Sequence, residues 1–284
     1  MTEVDLTIRR LLSTVRYEVI PTATIEERIR VAVPNSVTIT VTASPTKGLE
    51  PTLRLTERLT GAGYQVVPHV SARLIAGPSH LREIVDRMSA VGVHDVFVPA
   101  GDADPPVGPY DAALPVLAAL TDMGRPFAQV GITGYPQSHP LIDDDVTVQA
   151  MWDKRLHASY IVSNLCFDAG VLARWVTRVR RRNVALPIYI GLAGPVERTK
   201  LLAMATKIGL GESARFLTRH TSWFARFAAP GGYSPESLLR RVVRVLRGPD
   251  VGLAGLHIFT FNQVEATERW RQDRLDAASA AARP

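Results

Sequence analysis

The sequence predicts an α/β fold, a single (β/α)8 barrel with residues 1–284 as one domain, and three observations carry that expectation. Eight short blocks of β-branched and apolar residues recur along the chain. Stretches with apolar residues at three- and four-residue spacing lie between them, the period of helices that bury one face. The length of 284 residues is close to the roughly 250 of a typical barrel.

The strand blocks run Tyr17 to Ile20, Val37 to Thr42, Gln65 to Ser71, Asp95 to Pro99, Ala128 to Ile132, Tyr160 to Leu165, Pro187 to Gly191 and Gly255 to Phe261. Their near-continuous apolar character suits a parallel sheet covered on both faces. Helical periodicity follows at Leu49 to Leu59, Leu81 to Met88, Val171 to Val179 and Leu201 to Ile208. Ser79 is expected to cap a helix starting at His80, and Asp168 the helix through Val171. Ser234 before Pro235 places proline at a favourable first helical position. Glu212 to Gly232 reads as an extra segment between the seventh and eighth units, with an aromatic helix around Trp223 and Phe224 capping the barrel rim. The tail from Gln263 is expected to be helical to about Ala278.

Composition narrows the function classes. A hydrophobic fraction of 46% and a charged fraction of 21% describe an ordinary globular chain. Glu3 and Asp5 precede any apolar run, and no stretch reaches the ~18 apolar residues of a membrane span, so a cytoplasmic location is expected. The single cysteine, Cys166, excludes an internal disulfide and reads as a small buried hydrophobe. Seven scattered histidines with no short-range pairing give no expectation of a metal. The net charge of +6 gathers in Arg178, Arg180, Arg181, Arg182 and in Arg240, Arg241, Arg244, Arg247, which read as solvated helix faces. Without interleaved aromatics they do not point to nucleic acid. No Gly-x-Gly-x-x-Gly opens a helix, and phosphate loop, nucleophile elbow and His-Glu-x-x-His are absent, which argues against a Rossmann domain.

In a barrel the strand C-termini gather at one mouth, where the active sites of this fold lie. The strand ends here collect Glu18, Thr42 with Ser44, His69, Asp102, Tyr135 with His139, Asn164 and the loop Gly191 to Gly194. Glu18 leads the set, because a carboxylate on a barrel strand is costly unless it serves chemistry. Its alternative is a structural carboxylate paired with Arg16 or Lys154.

The ordered motifs resemble those of the methylenetetrahydrofolate reductase family. Arg16-Tyr17-Glu18-Val19-Ile20-Pro21 is similar to the family's Ser-Phe-Glu-Phe-Phe-Pro opening, and Val37 to Thr42 to its second strand. His69 matches the His-Leu-Thr block, Gly101-Asp102 the end of Leu-Arg-Gly-Asp, and Gly134-Tyr135-Pro136 with His139-Pro140 the Gly-Tyr-Pro-x-x-His-Pro signature. Ile161 to Asp168 resembles Ile-Val-Thr-Gln-x-x-Phe-Asp, and Phe259-Thr260-Phe261-Asn262 the closing Tyr-Thr-Leu-Asn. The resemblance implies reduction of 5,10-methylenetetrahydrofolate, normally by NAD(P)H through bound FAD. It implies that Glu18 protonates N10 of the folate, that Asp102 stabilises the 5-iminium cation, and that Asn164 and Phe261 contact the substrate.

The departures fall on the flavin's side. Pro99-Ala100 stands where flavin-binding members carry Leu-Arg, and Ala43-Ser44-Pro45-Thr46-Lys47-Gly48 lacks the family's Tyr-Gly-Ala-Gly-Gly run. The chain therefore resembles most the divergent actinobacterial, mycobacterial-like branch that works without flavin. That likeness implies NADH as direct hydride donor and no FAD, with Thr42, Lys47, Glu50, His69, Tyr135, His139 and Lys154 framing the dinucleotide. An FAD-dependent enzyme is the alternative, and a non-catalytic folate-binding or partner subunit is the alternative from another class.

Overall fold

Parallel strands and helices alternate through the computed structural model, which describes residues 2–136, 144–196, 234–246, 248 and 251–280. The strands are β1 (Val15–Val19), β2 (Thr38–Val41), β3 (Val66–Pro68), β4 (Asp95–Phe97), β5 (Gln129–Gly134), β6 (Tyr160–Ser163), β7 (Ile188–Ala193) and β8 (Leu253–Phe259). They lie in the order β3-β2-β1-β8-β7-β6-β5-β4. A parallel bridge between His69 and Phe97 joins the two ends of that order, so the sheet closes into the expected barrel.

The described helices are α1 (Glu3–Ser13), α2 (Ile25–Ala32), α3 (Glu50–Gly61), α4 (Pro78–Ala90), α5 (Ala113–Asp122), α6 (Asp144–Lys154), α7 (Ala169–Arg181), α8 (Pro235–Val245) and α9 (Val264–Ala280). Helix α1 precedes the first strand and stands outside the strand/helix alternation. Thr2 and Asp5 start it with a reciprocal capping box, and it packs on α8, α9 and β8. The expected helix at Leu201 to Ile208, the rim segment Glu212 to Gly232, Arg247 and His139 lie outside the described residues.

Asp168 caps α7 as expected, accepting from the backbone N–H groups of Gly170 and Val171. Ser234 caps α8, with Pro235 in its first turn. Ser79 does not cap α4. That helix starts at Pro78, whose fixed φ suits the first helical position, so Ser79 falls inside the first turn and no side chain caps the end. Arg180 also departs from a solvated role, since its guanidinium donates to the carbonyls of Val184 and Val251.

Strand β1 shows how side-chain alternation builds both sides of the wall. Val15, Tyr17 and Val19 are buried toward the helices, while Arg16 and Glu18 alternate with them on the opposite face. Tyr17 donates to Glu268 on α9 at 2.7 Å, and Arg271 holds the same carboxylate. The main core lies between strands and helices, with Trp175 the largest fully buried side chain. A smaller apolar cluster, Val67, Phe97, Tyr160 and Val162 with Tyr189 against it, fills the barrel interior. Cys166 is buried, forms no disulfide, and its thiol donates to the Asp168 carbonyl at 3.3 Å. No described helix is long and apolar enough to cross a membrane.

Candidate active site

Two polar layers share the barrel interior. In the lower one Arg16 reaches across to Asp95 at the start of β4, 3.0 Å away. Its guanidinium carbon sits 4.3 Å and 4.0 Å from the ring centroids of Tyr160 and Tyr189. Tyr160 donates to Asp95 at 2.8 Å, and Arg16 donates to the Tyr189 hydroxyl at 3.2 Å. Burial raises the Asp95 carboxyl, opposed by the nearby Arg16 charge. Gly131 admits the Tyr160 ring, because a Cβ there would meet it at 2.4 Å.

The upper layer starts two residues further along β1. Glu18 does not pair with Arg16 or Lys154; its Oε2 lies 2.9 Å from Nε2 of His257 on β8. The imidazole keeps 2% of its exposure and the carboxylate 18%. His257 stands beside Phe259, ring centroids 5.0 Å apart, and stacks toward His69 at 6.4 Å. Its register neighbour on β7 is Gly191, where a Cβ would lie 2.0 Å from the carbonyl oxygen of Ser163.

His69 enters the site from the extension of β3. Burial pushes its pKa down to about 4, against the attraction of Glu18, so the ring is neutral at pH 7. Its Nε2 and the Nδ1 of His257 are both buried with no hydrogen-bond partner among the described residues. Buried polar atoms are rarely left so, and their open valences mark where a ligand can complete the set.

The other expected residues fall at the same mouth or on its outer rim, except Lys154, which ends α6 just before β6 begins and so lies at the opposite end of the barrel. Asn164 follows β6; its Oδ1 accepts from the Leu165 N–H at 2.8 Å, which leaves the amide NH2 as a donor. Asp102 is exposed beyond β4. Gly101 before it has φ 87°, and a Cβ would approach Ser71 to 3.0 Å, so glycine sets that turn. Tyr135 follows β5 and feels the Asp102 charge; burial first, then that charge, raises its hydroxyl pKa. Thr42 follows β2, its carbonyl accepting from Thr52 Oγ1 at 2.6 Å. Lys47 is exposed in a loop closed by the Ser44–Gly48 bridge. Glu50 opens α3 and is held on the outer surface by Arg87 and Arg54, which keep its pKa at about 2. Lys154 ends α6, its pKa lowered by burial.

Phe261 has φ 49° and packs partly buried against the core. Around it lie residues that carried no expected role. The Thr260 hydroxyl donates to the Glu18 carbonyl at 2.6 Å, while Asn262 accepts from the Ile20 N–H at 2.8 Å and donates to the Ile20 carbonyl at 2.9 Å. The turn after β8 thus clamps the end of β1 that carries Glu18. The conspicuous omission is His257, and the signal for it was available. It alternates with buried Leu256 and Ile258, and closure of a barrel places its eighth strand beside the first.

Comparison with known families is decisive, and it rests on most of the chain beyond β1. The model described as methylenetetrahydrofolate reductase matches residues 22–270. The chain belongs to the methylenetetrahydrofolate reductase family.

Solved structures widen the comparison for the fold alone. An oxaloacetate acetylhydrolase is 12% identical, with TM-score 0.52 over 99% of this chain and 89% of that one. A 2,3-dimethylmalate lyase of the PEP mutase/isocitrate lyase superfamily is 13% identical, with TM-score 0.51 over 99% of this chain and 82% of that one. At these identities the likeness concerns the barrel alone, and chemistry has to be read from the site. Among the described residues, no group of three or more His, Cys, Asp or Glu is arranged to hold a metal ion.

Proposed function

We propose that this reductase converts 5,10-methylenetetrahydrofolate to 5-methyltetrahydrofolate with NADH as direct hydride donor and no flavin between them. The observation that carries the reading is Glu18, an inward carboxylate at the barrel mouth, anchored on a buried imidazole and still open to a ligand. Its proton passes to N10 of the folate, the bond between N10 and the bridging carbon breaks, and a 5-iminium cation forms. Asp102 sits at the rim as a fixed anion facing that cation, and a preorganised charge lowers its energy without reorganisation at the moment of reaction. Asn164 presents its amide NH2 to the pterin, and Phe261 supplies an apolar wall.

NADH, when bound, supplies the hydride that turns the iminium carbon into the methyl group. Thr42, Lys47, His69 and Tyr135 frame its pocket, with Glu50 fixing the start of α3, and His139 is assigned to the same ligand by the resemblance alone. Support for the flavin-free route comes from the loop after β4. Ala100 occupies the place of the flavin-binding members' arginine, and Arg73 does not replace it. The Arg73 guanidinium is committed to the carbonyls of Ala103 and Asp111 and to Asp104.

The test is NADH oxidation by purified protein shown to contain no flavin, mixed with 5,10-methylenetetrahydrofolate. Turnover is expected. Turnover only after FAD is added overturns the direct route, and folate binding without turnover in either condition makes the chain a binding subunit.

A further inference from the structure

We propose that His257 is a positioning residue for the acid: its Nε2–H holds Oε2 of Glu18, so that Oε1 is the oxygen that carries and delivers the proton. The inference rests on Glu18 being the acid, and it adds which atom acts and what aims it.

The hydrogen bonds on each side of the pair decide the direction. His257 Nε2 lies 2.9 Å from Glu18 Oε2 and its Nδ1 is buried without a partner. If Nδ1 carried the proton, a buried N–H would be orphaned, which folded proteins avoid more strictly than an unused lone pair. The imidazole is therefore the Nε2–H tautomer, a donor to Oε2. A proton on Oε2 would compete with that donor for the same contact. On Oε1, to which the described residues offer no hydrogen bond, a proton leaves the anchor intact.

The surroundings keep the ring from turning. Phe259 meets it edge-on at 5.0 Å and His69 stacks at 6.4 Å. Arg16, the other charged inward residue of β1, is held by Asp95 and does not compete for Glu18. The acid is thus bound on one oxygen by a nearly inaccessible donor and free on the other.

Two measurements test this on the full chain. In steady-state kinetics, His257→Phe keeps the ring volume and removes the donor, and it should lower kcat about 100-fold, the cost of a misplaced catalytic group, with KM for the folate little changed. His257→Gln places an amide N–H near the same point and should recover most of the loss. A Phe variant with wild-type kcat, or a Gln variant no better than Phe, overturns the proposal. Glu18→Gln run in parallel separates the two ideas: full turnover in that variant removes the acid role itself, whereas its loss beside an unaffected His257→Phe removes only the positioning. Histidine-selective 15N NMR needs no turnover. The His257 signals, assigned by their disappearance in His257→Gln, should show a protonated Nε2 and an imine-like Nδ1, and the opposite tautomer overturns the proposal.

Discussion

Arg16 and Glu18 stand two residues apart on β1 and face the same interior, yet they meet opposite surroundings. Arg16 is closed in by Asp95 and two tyrosine rings, while Glu18 has one anchor, and the atoms around it on His69 and His257 lack partners. One strand therefore carries a charge enclosed by an ion pair and two rings and a charge that keeps access to the mouth. Enclosure, and not complete hydrogen bonding, separates them, since the Arg16 Nη1 is itself buried without a partner among the described residues while Glu18 retains 18% exposure.

The comparison breaks first at Glu18. Glu18→Gln should reduce turnover by about 10³-fold, within the range of a lost general acid, while circular dichroism and folate binding stay unchanged. Turnover near the wild-type rate would place the reactive charge elsewhere. Breaking the lower layer should do the reverse. Arg16→Met leaves Asp95 buried without a cation and should cost about 4 kcal/mol in urea unfolding, and adding Asp95→Leu should restore much of it. The sign with pH is fixed by Asp95, whose folded pKa stands above its ordinary 3.8. Such a group favours folding below its unfolded value and loses that favour as pH rises through the folded value, so the damage in Arg16→Met should shrink toward acid.

His69 sharpens the contrast at intermediate size. Its folded pKa of about 4 lies below the ordinary 6.5. As pH falls from 6.5 the unfolded chain takes up a proton that the folded one refuses until about 4, so stability declines across that window. The total is about 3 kcal/mol, and His69→Gln should flatten the slope in a pH series of denaturant melts. A slope unchanged in that variant would assign the decline to other groups. The smallest effect is expected at Asp102, which water screens. Asp102→Asn should lower kcat about tenfold with Glu18 intact, and an unchanged kcat with chemistry rate-limiting would remove its cation role.

Much of this was legible before any coordinates. The strands announce themselves because a sheet covered on both faces demands apolar, β-branched runs, and the mouth follows because parallel strands all end on one side. Boundaries blurred where backbone chemistry intervened. The eighth strand stops at Phe259 because Phe261 and Asn262 adopt left-handed φ of 49° and 57°. Helix α4 starts at Pro78 because proline fixes its own φ. Pairings were harder. The sequence reading offered Arg16 or Lys154 for Glu18, but residues two apart on a strand run side by side, and long side chains find partners across the barrel. Asp95 became visible as a partner only once closure set β4 across the interior from β1, whereas His257 follows from the eighth strand lying beside the first.

The contact between Glu18 and His257 joins residues 239 positions apart, and Asn262 ties back to Ile20 across 242. During synthesis the first described strand emerges early and waits, because its neighbour on one side, β8, follows it by more than two hundred residues. Until then the carboxylate has no imidazole beside it and the seam of the barrel is open. Closure of the wall and pairing of Glu18 with His257 are one event, so a chain lacking β8 has the carboxylate but not its anchor.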